Sequence, residues 1–269
     1  MWSSFWDAFQ EVGGRRIIVA LFLLALGVGL LFNRSVHFEK LNNVDVIYQG
    51  VVSQGPWAFA VPSILGQTTL FAGIIWMMMM IFAGCPQFVA MLEKGWRELT
   101  FAKATPRWQI LLARYVSLNL LYFMLILTTC MPLTLHLWWR TGIMQWNIVG
   151  GLLINTFTFG SLLTIGALVS MAGEAGVALP ILAPVSIFIL SQPLVARESL
   201  VYPFISSEIG RRAVDWVYYI LPKCTELQNA AAEYVRASSL PTSWPVWTTG
   251  VFILGSLAFT LWVLERKSF

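Results

Sequence analysis

Ionisable side chains are scarce in this chain, and an unusual share of them falls in the run CPQFVAMLEKGWRELTFAKATPRWQILLAR, from Cys85 to Arg114. Glu93, Lys94, Arg97, Glu98, Lys103 and Arg107 supply charge of both signs there. Glu93 and Arg97 are four apart with the acid N-terminal to the cation, the orientation that supports a helix. Gly95 weakens that helix, and Pro106 predicts a break with a new helix starting at about Arg107. A solvated loop accounts for these charges but not for their helical pairing. A docking surface for a soluble partner accounts for both.

Other chemistry is conspicuous by its scarcity. No Asp or Glu occurs in 46–92, 99–173 or 175–197, and Glu174 alone interrupts the middle of the chain. Proton- and sodium-coupled carriers usually place a carboxylate or equivalent ligand at membrane depth. The two histidines, His37 and His136, are far apart in sequence, so no catalytic constellation is legible and the chain is not expected to be an enzyme. Met77 to Met80 offer four thioethers, but consecutive residues point around more than half a helix and cannot face one metal ion. Cys85, Cys130 and Cys224 show no metal-ligand spacing. They are expected on the inside, within the bilayer and on the outside respectively, so that Cys224 should be open to a membrane-impermeant thiol reagent.

Two uncharged polar sets remain: Ser63, Gln67, Thr68 and Thr69, and Asn155, Thr156, Thr158, Ser161 and Thr164. Such groups serve helix packing in membranes. Gln67, Asn155 and Thr158 are also the candidates for lining a translocation path.

The elements that must carry these residues follow from composition. Of the 269 residues 58% are hydrophobic and only 11% charged, with a mean hydropathy of +0.72. Soluble domains carry about 25% charged residues. An ordinary soluble enzyme, a disordered chain and a secreted disulfide module are excluded, and the 13 Trp suit a membrane–water interface. The net charge of +4 comes with no basic stripe, so nucleic acid is not an expected partner.

The sequence therefore predicts an all-α polytopic membrane protein with six transmembrane helices, at 17–32, 60–84, 116–136, 148–171, 177–194 and 246–264. In the first, twelve of sixteen residues are Ile, Leu, Val or Phe, contributing about −4 to −7 kcal/mol to insertion. Trp2, Phe5, Trp6 and Phe9 fall on one helical face, predicting an interfacial amphipathic helix over 2–14. Residues 85–107 form a charged cytoplasmic segment. Residues 197–244 form an extracytoplasmic helical segment between helices 5 and 6, where Thr225 and Gln228 read as a capping box opening a helix to about Val235.

Six crossings place both termini on one side. Nine basic residues lie on that side; of the eight opposite, Arg34, Lys40 and Arg140 lie in the short connections, which weigh most, and Arg197, Arg211, Arg212, Lys223 and Arg236 in the long segment. Both termini are therefore expected in the cytoplasm and the protein in the cytoplasmic (inner) membrane.

The segment 92–115 resembles the ABC-2 type permeases, membrane subunits of ATP-binding-cassette transporters that are mostly exporters. Glu93, Gly95, Glu98, Leu99, Lys103, Arg107 and Arg114 match the family pattern in order. Ala104 stands where the family usually has Pro, and Pro106 follows two residues later. Tyr218-Tyr219-Ile220-Leu221-Pro222 is similar to the Tyr-x-Leu-Pro before the last crossing of such permeases, and the C-terminal Glu265-Arg266-Lys267-Ser268-Phe269 also looks like theirs.

The resemblance implies a coupling segment that docks on a separate ATPase through Glu93, Gly95, Glu98, Lys103 and Arg107, with the turn at Glu174 as a second contact. It also implies dimerisation with a second permease copy, identical or related. No G-x-x-x-x-G-K-[ST] occurs in the chain, so ATP and Mg are expected on the partner and no cofactor on this polypeptide. Membrane lipid is an expected neighbour, and an extracytoplasmic accessory protein a further candidate. The rival readings are an ion-coupled carrier or channel, and a membrane anchor of a larger complex that transports nothing.

Overall fold

The computed structural model describes residues 16–41, 44–49, 52–92, 106–172, 176–205 and 207–266. Helix α1 (Arg16–Arg34) is followed by three short strands, β1 (Val36–Leu41), β2 (Val44–Gln49) and β3 (Val52–Pro56). Four long helices come next: α2 (Trp57–Ala90), α3 (Arg107–Thr141), α4 (Asn147–Ala172) and α5 (Ala178–Val195). A one-turn α6 (Arg197–Leu200) and a 3-10 turn lead to α7 (Glu208–Ile220), α8 (Cys224–Ala237) and the closing α9 (Trp244–Arg266).

Five of these, α2 to α5 and α9, are long and apolar enough to cross a membrane. The apolar part of α1 is the shorter run Ile18–Arg34, about 26 Å of helix against a hydrocarbon core of about 30 Å. The interfacial helix expected at 2–14 lies outside the described residues. So do 93–105, most of the expected cytoplasmic segment; its first residues, 85–90, belong to the end of α2.

At 34 and 35 residues, α2 and α3 run well past the expected crossings. Pro106 at the N-cap and Arg107 as first residue place the start of α3 where the sequence predicts it. Proline has no N–H to donate, and at the head of a helix none is needed.

The all-α expectation holds for the bundle and fails at 36–56. There the strands form an antiparallel meander in the order β1-β2-β3. Val36 pairs with Gln49 and Leu41 with Val44, and a bulge interrupts the β2–β3 register between Ile47 and Tyr48.

Small residues set how closely the helices approach. On α1, Ile18, Leu21, Ala25 and Gly29 form the buried stripe, and a Cβ on Gly29 would stand 2.5 Å from the backbone oxygen of Thr129. The spacing of Ala25 and Gly29 is the small-xxx-small pattern that lets two backbones meet. Tyr122 ties three helices together in the core. Its hydroxyl donates to the carbonyl of Gly73 at 3.0 Å, and its ring stacks on Phe159 at 4.5 Å. Met77 and Met80 are buried while Met79 faces outward, so these thioethers diverge around α2 as their spacing requires.

Helix α8 lies deepest of the elements in the segment 197–244. The sequence leaves open whether the outer segment lies at the interface or dips into it; α8 packs between α2 and α4, burying Leu227, Ala230, Ala231, Ala232 and Val235. Gly66 and Gly151 make the room: a Cβ on either would come within 2.9 Å of an α8 carbonyl, that of Ala232 or Ala231. With 14 residues, about 21 Å, this helix is too short to span. The expected capping box is absent. Lys223 is the N-cap and makes no side-chain cap bond, and the Thr225 hydroxyl lies 2.6 Å from that of Ser191 on α5 instead.

Candidate functional site

Three polar zones are distributed along the bundle. At one end, the start of α3 is fastened to its neighbours by two arginines. Arg107 donates to the backbone oxygen of Leu264 near the end of α9 at 3.4 Å. Arg114 is buried and donates to the carbonyl of Gln87 in the last turn of α2. Terminal helix carbonyls lack intrahelical partners and carry partial negative charge, so a guanidinium there satisfies both needs. These contacts bracket the charged connection between α2 and α3. Of the expected coupling residues, Arg107 is described; Glu93, Gly95, Glu98, Lys103 and Glu174 lie outside the described residues.

The second zone is the seam between α2 and α4. Asn155 is buried and donates to the carbonyl of Thr69 at 3.1 Å; its amide also fills the space beside Gly73. Thr158 is buried and its hydroxyl returns to the carbonyl of Ile154 at 3.0 Å. Gln67 is half-buried. Within one chain, Asn155 and Thr158 face neighbouring helices, and Asn155 bonds α4 to α2.

The third zone, at the opposite end, contains none of the residues expected from the sequence to form a site. Asp215 on α7 accepts from Arg197 Nε at 2.7 Å and from the Tyr202 hydroxyl at 2.6 Å through the same oxygen. Those two donors hold the Asp215 carboxyl below the usual carboxylate range. The Tyr218 hydroxyl donates to Glu226, and burial with that bond pushes the phenol up to about 12. Lys223 is buried and donates to the Tyr218 carbonyl. Burial pulls its ammonium down to about 8. Two cations and two carboxylates thus balance around one tyrosine where α5, α7 and α8 meet.

Cys224, expected outside and reactive, is instead fully buried, with its Sγ 3.9 Å from Ser161 Oγ well inside α4. The displacement follows from the inward insertion of α8. Among the described residues, no three His, Cys, Asp or Glu side chains come together as metal ligands.

Exposed tryptophans gather at the two ends of the bundle. Trp138, Trp139, Trp146, Trp216, Trp244 and Trp247 lie at the sheet end, and Trp108 and Trp262 at the other. Indole favours the headgroup layer, and between the two sets α5 and α9 present exposed Leu182, Ile189, Leu190, Val251, Leu254 and Phe259. Architecture and surface together define a polytopic helical membrane protein. No protein-family model matches the chain, and no curated protein matches it either.

Proposed function

We propose that this chain is the permease subunit of an ABC transporter and moves a substrate outward across the cytoplasmic membrane. ATP hydrolysis takes place on a separate ATPase subunit. The observation that carries the reading is the concentration of charge between the two longest helices. Six charged side chains lie in 93–107, whereas α2 carries none.

A mixed-sign segment at the junction of two long apolar helices suits a lever gripped by a soluble motor. Glu93, Gly95, Glu98, Lys103 and Arg107 are its contact residues, and Glu174 is a second contact. The anchoring of Arg107 to α9 and of Arg114 to α2 supports this, because a push on the connection reaches three helices at once.

The same reading counts α1 as the sixth crossing, with both termini cytoplasmic. It also assigns part of the exposed apolar surface of α5 and α9 to a second permease copy. The polar knot around Tyr218 then closes the extracytoplasmic end.

Co-expression with a Walker-A ATPase, followed by mild detergent extraction, tests the reading. The ATPase is expected to co-purify with the wild-type chain and to be released by Glu93→Lys combined with Glu98→Lys. Undiminished co-purification of that double variant overturns the assigned docking segment.

A further inference from the structure

A cavity of about 560 Å³ opens at the sheet end between α1, α3 and β1. Among the described residues its polar lining is Asn33, Arg34, His37, His136 and Arg140, with no carboxylate. His136 and Arg140 are four apart on the last turns of α3 and share a face. Phe38 of β1 positions both, with its ring 5.6 Å from the His136 ring and 5.1 Å from the Arg140 guanidinium. Trp57 packs edge-on against Phe38 at 6.3 Å and holds that platform in place.

The ion pairs among the described residues use Arg197, Arg212 and Arg236. Arg34 and Arg140 are not among them, and both are exposed. A simpler account is that each cation complements the C-terminal dipole of its own helix. That explains either arginine alone, but not their convergence, with two imidazoles, on one cleft.

We propose that this cleft binds a phosphate group, held by Arg34 and Arg140 with the imidazoles as further hydrogen-bonding groups. Guanidinium forks match phosphate oxygens in pairs, and neither fork here is taken up in an ion pair among the described residues. The volume exceeds that of a bare phosphate and accommodates a phosphoester with its glycerol. The surroundings point to a lipid headgroup as the source: Leu30 and Leu31 are exposed on one side and Trp138 and Trp139 on the other, the neighbours of a headgroup at an interface. The side-chain oxygen of Asn33 is buried without a partner. Turning that amide, which exchanges its O and N, would present a third donor.

The test is native mass spectrometry of the full chain in detergent, titrated with phosphatidylglycerol. Arg34→Gln with Arg140→Gln is compared with Arg211→Gln with Arg212→Gln, which removes the same charge from α7. The cleft pair is expected to weaken binding of one lipid by about ten-fold or more, and the α7 pair to leave it unchanged. Equal binding by wild type and cleft variant, or equal loss in both variants, overturns the proposal.

Should the glutamine pair fail to fold, Arg34→Lys with Arg140→Lys keeps the charge but removes the forks. A loss of affinity of about three-fold or more is expected, and unchanged affinity overturns paired recognition. Competition with inorganic phosphate separates the sources. Displacement of the lipid means that free phosphate suffices, and retention means that the headgroup needs its glycerol and acyl chains; binding at the cleft stands in either case.

Discussion

Tyr218 and Lys223 are joined twice: the Lys223 ammonium lies 3.5 Å from the centre of the Tyr218 ring and also donates to the Tyr218 backbone carbonyl. Arg197 adds a second cation over the ring at 4.0 Å. Because the phenol also donates to Glu226, one side chain links α6, α7 and α8. Removing the ring with Tyr218→Leu should cost about 1–3 kcal/mol, since two cation–π contacts and a charged hydrogen bond go together. Tyr218→Phe keeps the ring and should cost less. Thermal denaturation followed by size exclusion ranks the two, and a leucine variant as stable as the phenylalanine one would contradict the arrangement.

The Lys223 ammonium also predicts a pH dependence. Its pKa is about 8 in the folded chain and 10.5 when solvated, so between these values the unfolded chain binds more protons than the folded one. Stability contributed by this residue therefore rises from about pH 8 to about pH 10. Comparison with Lys223→Met isolates the contribution of this residue. The melting temperature of the wild type relative to that variant should increase from pH 7.5 to 9.5. A difference independent of pH would mean that Lys223 is solvated.

Gly27 and Gly29 are two residues apart on α1, yet their surroundings differ. A Cβ on Gly27 meets nothing within 4 Å, whereas one on Gly29 meets the Thr129 carbonyl at 2.5 Å. Gly27→Ala should be neutral or stabilise by up to about 1 kcal/mol through helix propensity. Gly29→Ala should cost about 1–3 kcal/mol, because α1 must move off α3. Equal melting temperatures for the two variants would show that the helices do not touch there.

These contacts indicate what a sequence of this kind exposes to reading. The helices of the bundle were legible because lipid demands long apolar runs, and Pro106 marked the start of α3 through its missing N–H. The strands at 36–56 carry a turn signal in Asn42-Asn43, between Leu41 and Val44, which the apolar composition of the chain outweighs. The insertion of α8 was not legible locally. Ala230, Ala231 and Ala232 announce a helix, but its depth is set by Gly66 and Gly151, far away in the chain. Arg114 is legible in the sequence as a residue that fits the permease pattern, but only the fold places it against Gln87. The partners of Tyr218 likewise come from segments that sequence spacing does not relate.

Burial of all three native thiols turns the chain into its own topology reporter. Cys224 is enclosed by α8 and α4, so a membrane-impermeant maleimide should leave the wild type unlabelled in intact cells. Phe204 lies between α6 and α7 and is 88% exposed; Phe204→Cys places a thiol at the sheet end on that silent background. Arg266 closes α9 at the end where Arg107 reaches Leu264, so Arg266→Cys reports the other side. With cytoplasmic termini, the first variant should label in intact cells and the second only after permeabilisation. The opposite pattern would invert the orientation and put the charged connection between α2 and α3 outside, beyond the reach of any cytoplasmic ATPase. Labelling of both variants in intact cells would mean that the two ends are not separated by a membrane.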